Sequence, residues 1–135
     1  NCFMPKNNFI LAQEWFCLAD NDELAAETLL KEGVAPSTVC FLSQQCAEKY
    51  LKGLLAFLNM DVAKVHDLSQ LVNLIKKSVP EIVNFTDEFV LLNKYYIQTR
   101  YLSDVAEGFD CQEAKAALSA AKNVKKFVLD QVIPC

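Results

Sequence analysis

The chain has one histidine, His66, and one arginine, Arg100. Each stands in polar or aromatic company, as His66-Asp67-Leu68 and Thr99-Arg100-Tyr101. An imidazole titrates near neutrality and can pass protons. A guanidinium can grip phosphate or carboxylate with two parallel hydrogen bonds. The plainer roles are a hydrogen-bonded loop histidine and a cation complementing a helix C-terminus. Fourteen residues before His66 ends a third group, Ser43-Gln44-Gln45-Cys46-Ala47-Glu48-Lys49-Tyr50-Leu51-Lys52. Its polar side chains interrupt a helical apolar pattern. Gln45, Glu48, Lys49 and Lys52 recur at three- and four-residue steps and share one side of a helix. If that side is solvated, Glu48 and Lys52 form a surface pair worth only about 0.3–0.5 kcal/mol. If it borders a cleft, Lys49 or Lys52 can meet phosphate and Gln45 can bond a base, with Tyr101 and its neighbours available for stacking.

The elements that carry these residues follow from periodicity. Apolar residues from Phe9 to Glu32 recur at helical spacing through Trp15, Phe16, Ala19, Ala26, Leu29 and Leu30, and Gly33 follows where a C-terminal glycine belongs. A second helix opens at Pro36 and runs to about Asn59 on a broad stripe from Val39 to Leu58. Asp67 is placed to cap a short helix over 68–78 that Pro80 ends. A fourth helix is expected over 86–100, with Phe89, Leu92 and Tyr96 inward. Asp110 then caps the last, with Glu113 in capping-box register and Ala114, Ala117, Leu118, Ala121, Val124 and Val128 buried. No segment alternates as a strand. The fold class is all-α, an up-and-down antiparallel bundle of four long helices plus one short helix. The 135 residues make a single domain, with residues 1–8 expected to be a flexible N-terminal segment.

Composition narrows the classes further. A net charge of −4 argues against a broad basic footprint for duplex nucleic acid. Six cysteines suggest a disulfide framework by count, but Cys17, Cys40 and Cys46 fall in helical apolar patterns, where a free thiol behaves as a small hydrophobe. Reduced thiols in a cytoplasmic protein are expected. One histidine and no C-x-x-C leave no usual zinc set, and no phosphate-binding glycine loop or serine triad is present. No cofactor and no metal are expected. No apolar run reaches the roughly 20 residues of a membrane span, so no membrane partner is expected.

Trp15, the string Gln44–Lys52, His66-Asp67-Leu68 and Arg100-Tyr101, followed by an alanine-rich last helix, occur in the order found in HEPN domains, which the chain resembles from about residue 9 to 132. The resemblance implies a bundle of four or five helices, usually a homodimer. It also implies a frequent partner, a minimal nucleotidyltransferase in toxin–antitoxin-like modules, and a link to nucleotide or RNA binding. The candidate ligand-binding residues, read from their chemistry and spacing, are Gln45, Glu48, Lys49, Lys52, His66, Arg100 and Tyr101. Many members are metal-independent ribonucleases carrying Arg, four to six residues, then His. Here Tyr-Leu-Ser-Asp-Val-Ala-Glu-Gly-Phe follows Arg100, and no histidine comes after it. The leading expectation is a nucleotide- or RNA-binding partner protein. The alternatives are a divergent ribonuclease using Arg100 and His66 as catalytic residues, and a non-catalytic dimeric interaction module.

Overall fold

A computed structural model describes residues 6–62, 64–96 and 109–132. Among the described residues there are five α-helices, in this order: α1 Lys6–Glu32, α2 Pro36–Phe57, α3 Leu68–Ile75, α4 Thr86–Asn93 and α5 Cys111–Gln131. A 3-10 turn, Pro80–Phe85, leads into α4. Among the described residues there is no strand. No described helix is long and apolar enough to cross a membrane.

The first three helices end or begin on local chemistry visible in the sequence. Gly33, at φ 70°, closes α1 in a Schellman motif, with Val34 N–H on Leu29 C=O and Gly33 N–H on Leu30 C=O, each at 3.1 Å. Asn59 does the same for α2 at φ 58°, with Met60 N–H on Leu55 C=O at 2.9 Å. Asp67 caps α3 through Ser69 N–H at 2.8 Å. The short helix ends at Ile75, three residues earlier than expected, and the chain turns through Lys76 to Ser78. Helix α1 opens at Lys6, so residues 6–8 of the expected flexible segment are helical. The expected 86–100 helix ends earlier, at Asn93, and the chain turns through Lys94 and Tyr95; the part beyond Tyr96 lies outside the described residues.

Helix α2 is the hub. It packs on α1, α5, α3 and α4, and its residues 50–56 are buried on every face, as expected of a helix with no solvated side. Gly53 allows the closest approach: a Cβ there would run into the Phe16 ring, which stacks on Tyr50 at 5.3 Å between centroids. The stripe expected of α5 is buried as expected, from Ala114 to Val128. Two further expectations fail. Cys17 is exposed, because α1 packs through the row of Ala12, Phe16 and Ala19 and turns position 17 outward. Asp110 caps α5 through Glu113 N–H at 2.7 Å, but the Glu113 carboxylate does not reach back to complete a capping box. It accepts the Tyr95 hydroxyl at 2.9 Å instead.

Ionisable groups pin α1 to both α2 and α5. Lys125 of α5 lies 2.6 Å from Glu23 and 3.1 Å from Asp20, Lys49 of α2 lies 2.6 Å from Asp22, and Tyr50 donates its hydroxyl to Asp20. Burial works against the Lys125 charge, but Glu23 and Asp20 outweigh it and hold the ammonium above its usual value. Burial, reinforced by these carboxylates, pushes the Cys46 thiol and the Tyr50 hydroxyl well up. Burial and the bond to Glu113 do the same for Tyr95. Each group therefore releases its proton more readily unfolded than folded. Their stabilisation is complete below the ordinary values, 9.0 for the thiol and 10.0 for the phenols, and is lost as pH rises beyond them. Denaturation midpoints are expected to fall steadily above pH 9, and Tyr50→Phe is expected to flatten that decline.

Candidate functional site

Helix α2 sets Gln44, Glu48 and Lys52 in a row at four-residue steps, and all three are buried. The Glu48 side chain is only 4% exposed. Its Oε1 accepts from Gln44 Nε2 at 3.2 Å. Its Oε2 accepts from Lys52 Nζ at 3.0 Å and from His66 Nδ1 at 2.9 Å. A carboxylate removed from water is costly unless paired and hydrogen-bonded, and this one has three donors, one of them a cation. The Lys52 ammonium also lies 5.6 Å from the centre of the Trp15 ring, so α1 closes the far side with an aromatic face. Gln44 donates its second N–H to His66 C=O at 3.3 Å, and Gln45 donates to Gln44 Oε1 at 2.7 Å.

This arrangement holds His66 by both backbone and ring. Because ionised Glu48 can only accept, Nδ1 carries the proton, and Nε2 is an acceptor when the ring is neutral. The ring itself is half-exposed and stacks on Tyr96, 5.5 Å between centroids at 22°. A reciprocal clamp fixes the two residues relative to each other. Asn93 donates to Asp67 Oδ1 at 3.0 Å and accepts Leu68 N–H at 3.1 Å, tying the start of α3 to the end of α4. Over this floor opens a pocket of about 490 Å³ lined by Lys64, Val65, His66, Asp67, Gln70, Asn93 and Tyr96.

The polar strip read from the sequence divides in two. Glu48 and Lys52 face inward with His66, and their pair is buried, where the expected solvated pair would contribute little. Lys49 points to Asp22 on the α1 side, and Gln45 supports Gln44. Successive helix positions stand about 100° apart, enough to give each row a different neighbour. Arg100 and Tyr101 lie outside the described residues. Spacing alone passed over Gln44, although it shares the four-residue row of Glu48 and Lys52, and over the Asp67–Asn93 clamp, which joins residues far apart in sequence. Tyr96, expected in the core, forms part of the pocket floor. Among the described residues, His, Cys, Asp and Glu form no group of three able to hold a metal ion.

Residues 12–131 match the HEPN domain family. The chain belongs to that family. The crystal structure of TT1696 from Thermus thermophilus superposes with a TM-score of 0.80 at 29% identity, covering 90% of this chain and 98% of that one. ST0689, described as an archaeal HEPN homologue, gives a TM-score of 0.76 at 26% identity with the same coverage. No curated protein matches. The matched HEPN span includes the whole Gln44–Glu48–Lys52 row, His66 and the clamp.

The pairing in this HEPN chain makes its members unequal to their surface counterparts. Lys52→Met leaves a buried carboxylate short of its cation and is expected to lower stability by about 3 kcal/mol, many times the value of an exposed pair. Replacing both partners, Glu48→Leu with Lys52→Met, is expected to recover part of that loss, as read by urea denaturation.

Proposed function

We propose that this HEPN protein binds nucleotide or RNA in the pocket over His66 and Tyr96, and that it works as a dimer alongside a minimal nucleotidyltransferase. The observation that carries the binding reading is the stacked imidazole–phenol floor, held rigid from beneath by Glu48 and Gln44. A base can extend that stack, and stacking needs no particular base edge. Lys64 and Gln70 on the rim supply donors for phosphate or base. The Asp67 carboxylate is engaged by Ser69 N–H and the Asn93 amide, which lessens its repulsion of an anion. Arg100 follows Tyr96 by four residues and is assigned to the ligand's phosphate. On this reading Glu48 and Lys52 support the floor, and Lys49 and Gln45 brace its surroundings. Calorimetry with ATP, GTP and a short RNA is the test. Tyr96→Ala is expected to weaken binding about tenfold. No binding of any of them, with or without the nucleotidyltransferase, would end the ligand reading.

One observation favours a second reading, a metal-independent ribonuclease. A buried carboxylate fixes the tautomer of the only histidine, as proton transfer to or from a ribose 2′-hydroxyl requires. On this reading His66 Nε2 takes the proton and Arg100 steadies the phosphate. RNA cleavage is then expected from the wild type and lost in both His66→Ala and Arg100→Ala. Cleavage that survives both substitutions would discard it.

A further inference from the structure

Asp67 enters the fold as the cap of α3, and only one of its two carboxylate oxygens is occupied there. Oδ1 accepts from Ser69 N–H at 2.8 Å and from the Asn93 amide at 3.0 Å. Two donors fill the two acceptor sites of one carboxylate oxygen. Oδ2 accepts from no donor among the described residues, although Asp67 lines the pocket beside the His66–Tyr96 stack. The Ser69 bond alone would make the cap. The second bond comes from a different helix, and Asn93 is itself fixed by Leu68 N–H at 3.1 Å. The carboxylate is therefore held in one orientation in advance, so little side-chain freedom is lost when a ligand meets Oδ2.

A fixed anionic oxygen can only accept, and that restricts which base can extend the stack. Bases that are free or single-stranded are read on their Watson–Crick edges while their faces stack. On that edge guanine presents two neighbouring donors, N1–H and N2–H, which can converge on one oxygen. Adenine presents an amino group beside a bare ring nitrogen, whose lone pair opposes the carboxylate. Cytosine has the same fault, and uracil offers one donor between two carbonyl oxygens. Gln70 completes the pattern. It follows Asp67 by three residues, on the same side of the start of α3, and its exposed amide is on the pocket wall. Its Nε2 can donate to guanine O6, next to the two donors that Asp67 accepts. An amide can turn over to suit either purine but a carboxylate cannot, so Asp67 sets the preference.

We propose that Asp67 makes the pocket selective for guanine, carried by a free nucleotide or by single-stranded RNA. This rests on the reading of the pocket as a nucleotide site and adds the identity of the base. The test is calorimetry on the full chain with GTP, ATP and 2′,3′-dideoxy-GTP. Two uridine hexamers join them, one with a single guanine and the other with a single adenine. GTP is expected to bind about tenfold tighter than ATP, and dideoxy-GTP as tightly as GTP. A guanine preference in the hexamers too identifies RNA as the source, and one in the mononucleotides alone identifies free nucleotide. Asp67→Asn retains the cap, because asparagine caps a helix as well as aspartate does, and sets a donor where Oδ2 stood. It is expected to leave helical circular dichroism unchanged and to reverse the preference, with ATP tighter than GTP. Equal binding of GTP and ATP overturns the selectivity but leaves a nucleotide site standing. Weaker binding of dideoxy-GTP also overturns it, by moving the carboxylate's contact to the ribose hydroxyls. A guanine preference that persists in Asp67→Asn removes Asp67 from base recognition. No binding of any of these ligands ends the nucleotide reading itself.

Discussion

The constraint on which the rest of the molecule depends is the need to neutralise one buried carboxylate. Glu48 sits on the central helix, out of water, and is satisfied by a cation from its own helix, an amide one turn back and an imidazole from a distant loop. Buried ion pairs of this kind are poor sources of net stability, because desolvation offsets much of their attraction. What they impose is geometry. Glu48 is satisfied only when the 58–67 loop returns to α2 with His66 in one orientation. Through Asp67 and Asn93, that loop then fixes the end of α4. The polar row acts as the register mark of the bundle, and the pocket floor is its outer edge.

The α1 side of α2 solves a similar problem differently. There Asp20, Asp22 and Glu23 answer Lys49 and Lys125 across three helices, and most of these groups keep some contact with water. Screening makes such pairs individually weak, yet together they select which face of α1 turns inward. The apolar row of Ala12, Phe16 and Ala19 agrees with them, and the residues between are left facing out. Helix α1 therefore has two sides of different character.

Much of this was legible in the chain itself. Helix existence and inward residues followed from period and from punctuation at Gly33, Pro36, Asp67, Pro80 and Asp110, since those signals are local. The membership of the polar row was less so. Gln45 and Gln44 differ by one position and about 100° of helix, and only the return of the loop distinguishes them. Cys17 looked like a core thiol because composition cannot tell which apolar residues of α1 face the bundle. Glu113 had the spacing of a capping box, and a tyrosine hydroxyl eighteen residues earlier in the chain claimed its carboxylate. In each case the deciding partner is distant in sequence, and a periodicity argument carries no information about it.

The connection between α1 and α2 has a further consequence, for the order of assembly. The most extensive interface in the fold joins these two sequence neighbours through three residues, two of them, Gly33 and Ala35, already in left-handed conformations. Closing so short a loop costs little chain entropy, and contacts local in sequence form early. The α1–α2 hairpin is thus the natural nucleus, formed while Glu48 still has water around it. Its carboxylate is closed over only when the His66 loop arrives. The charge most demanding of partners is buried late, after its own helix has supplied Lys52.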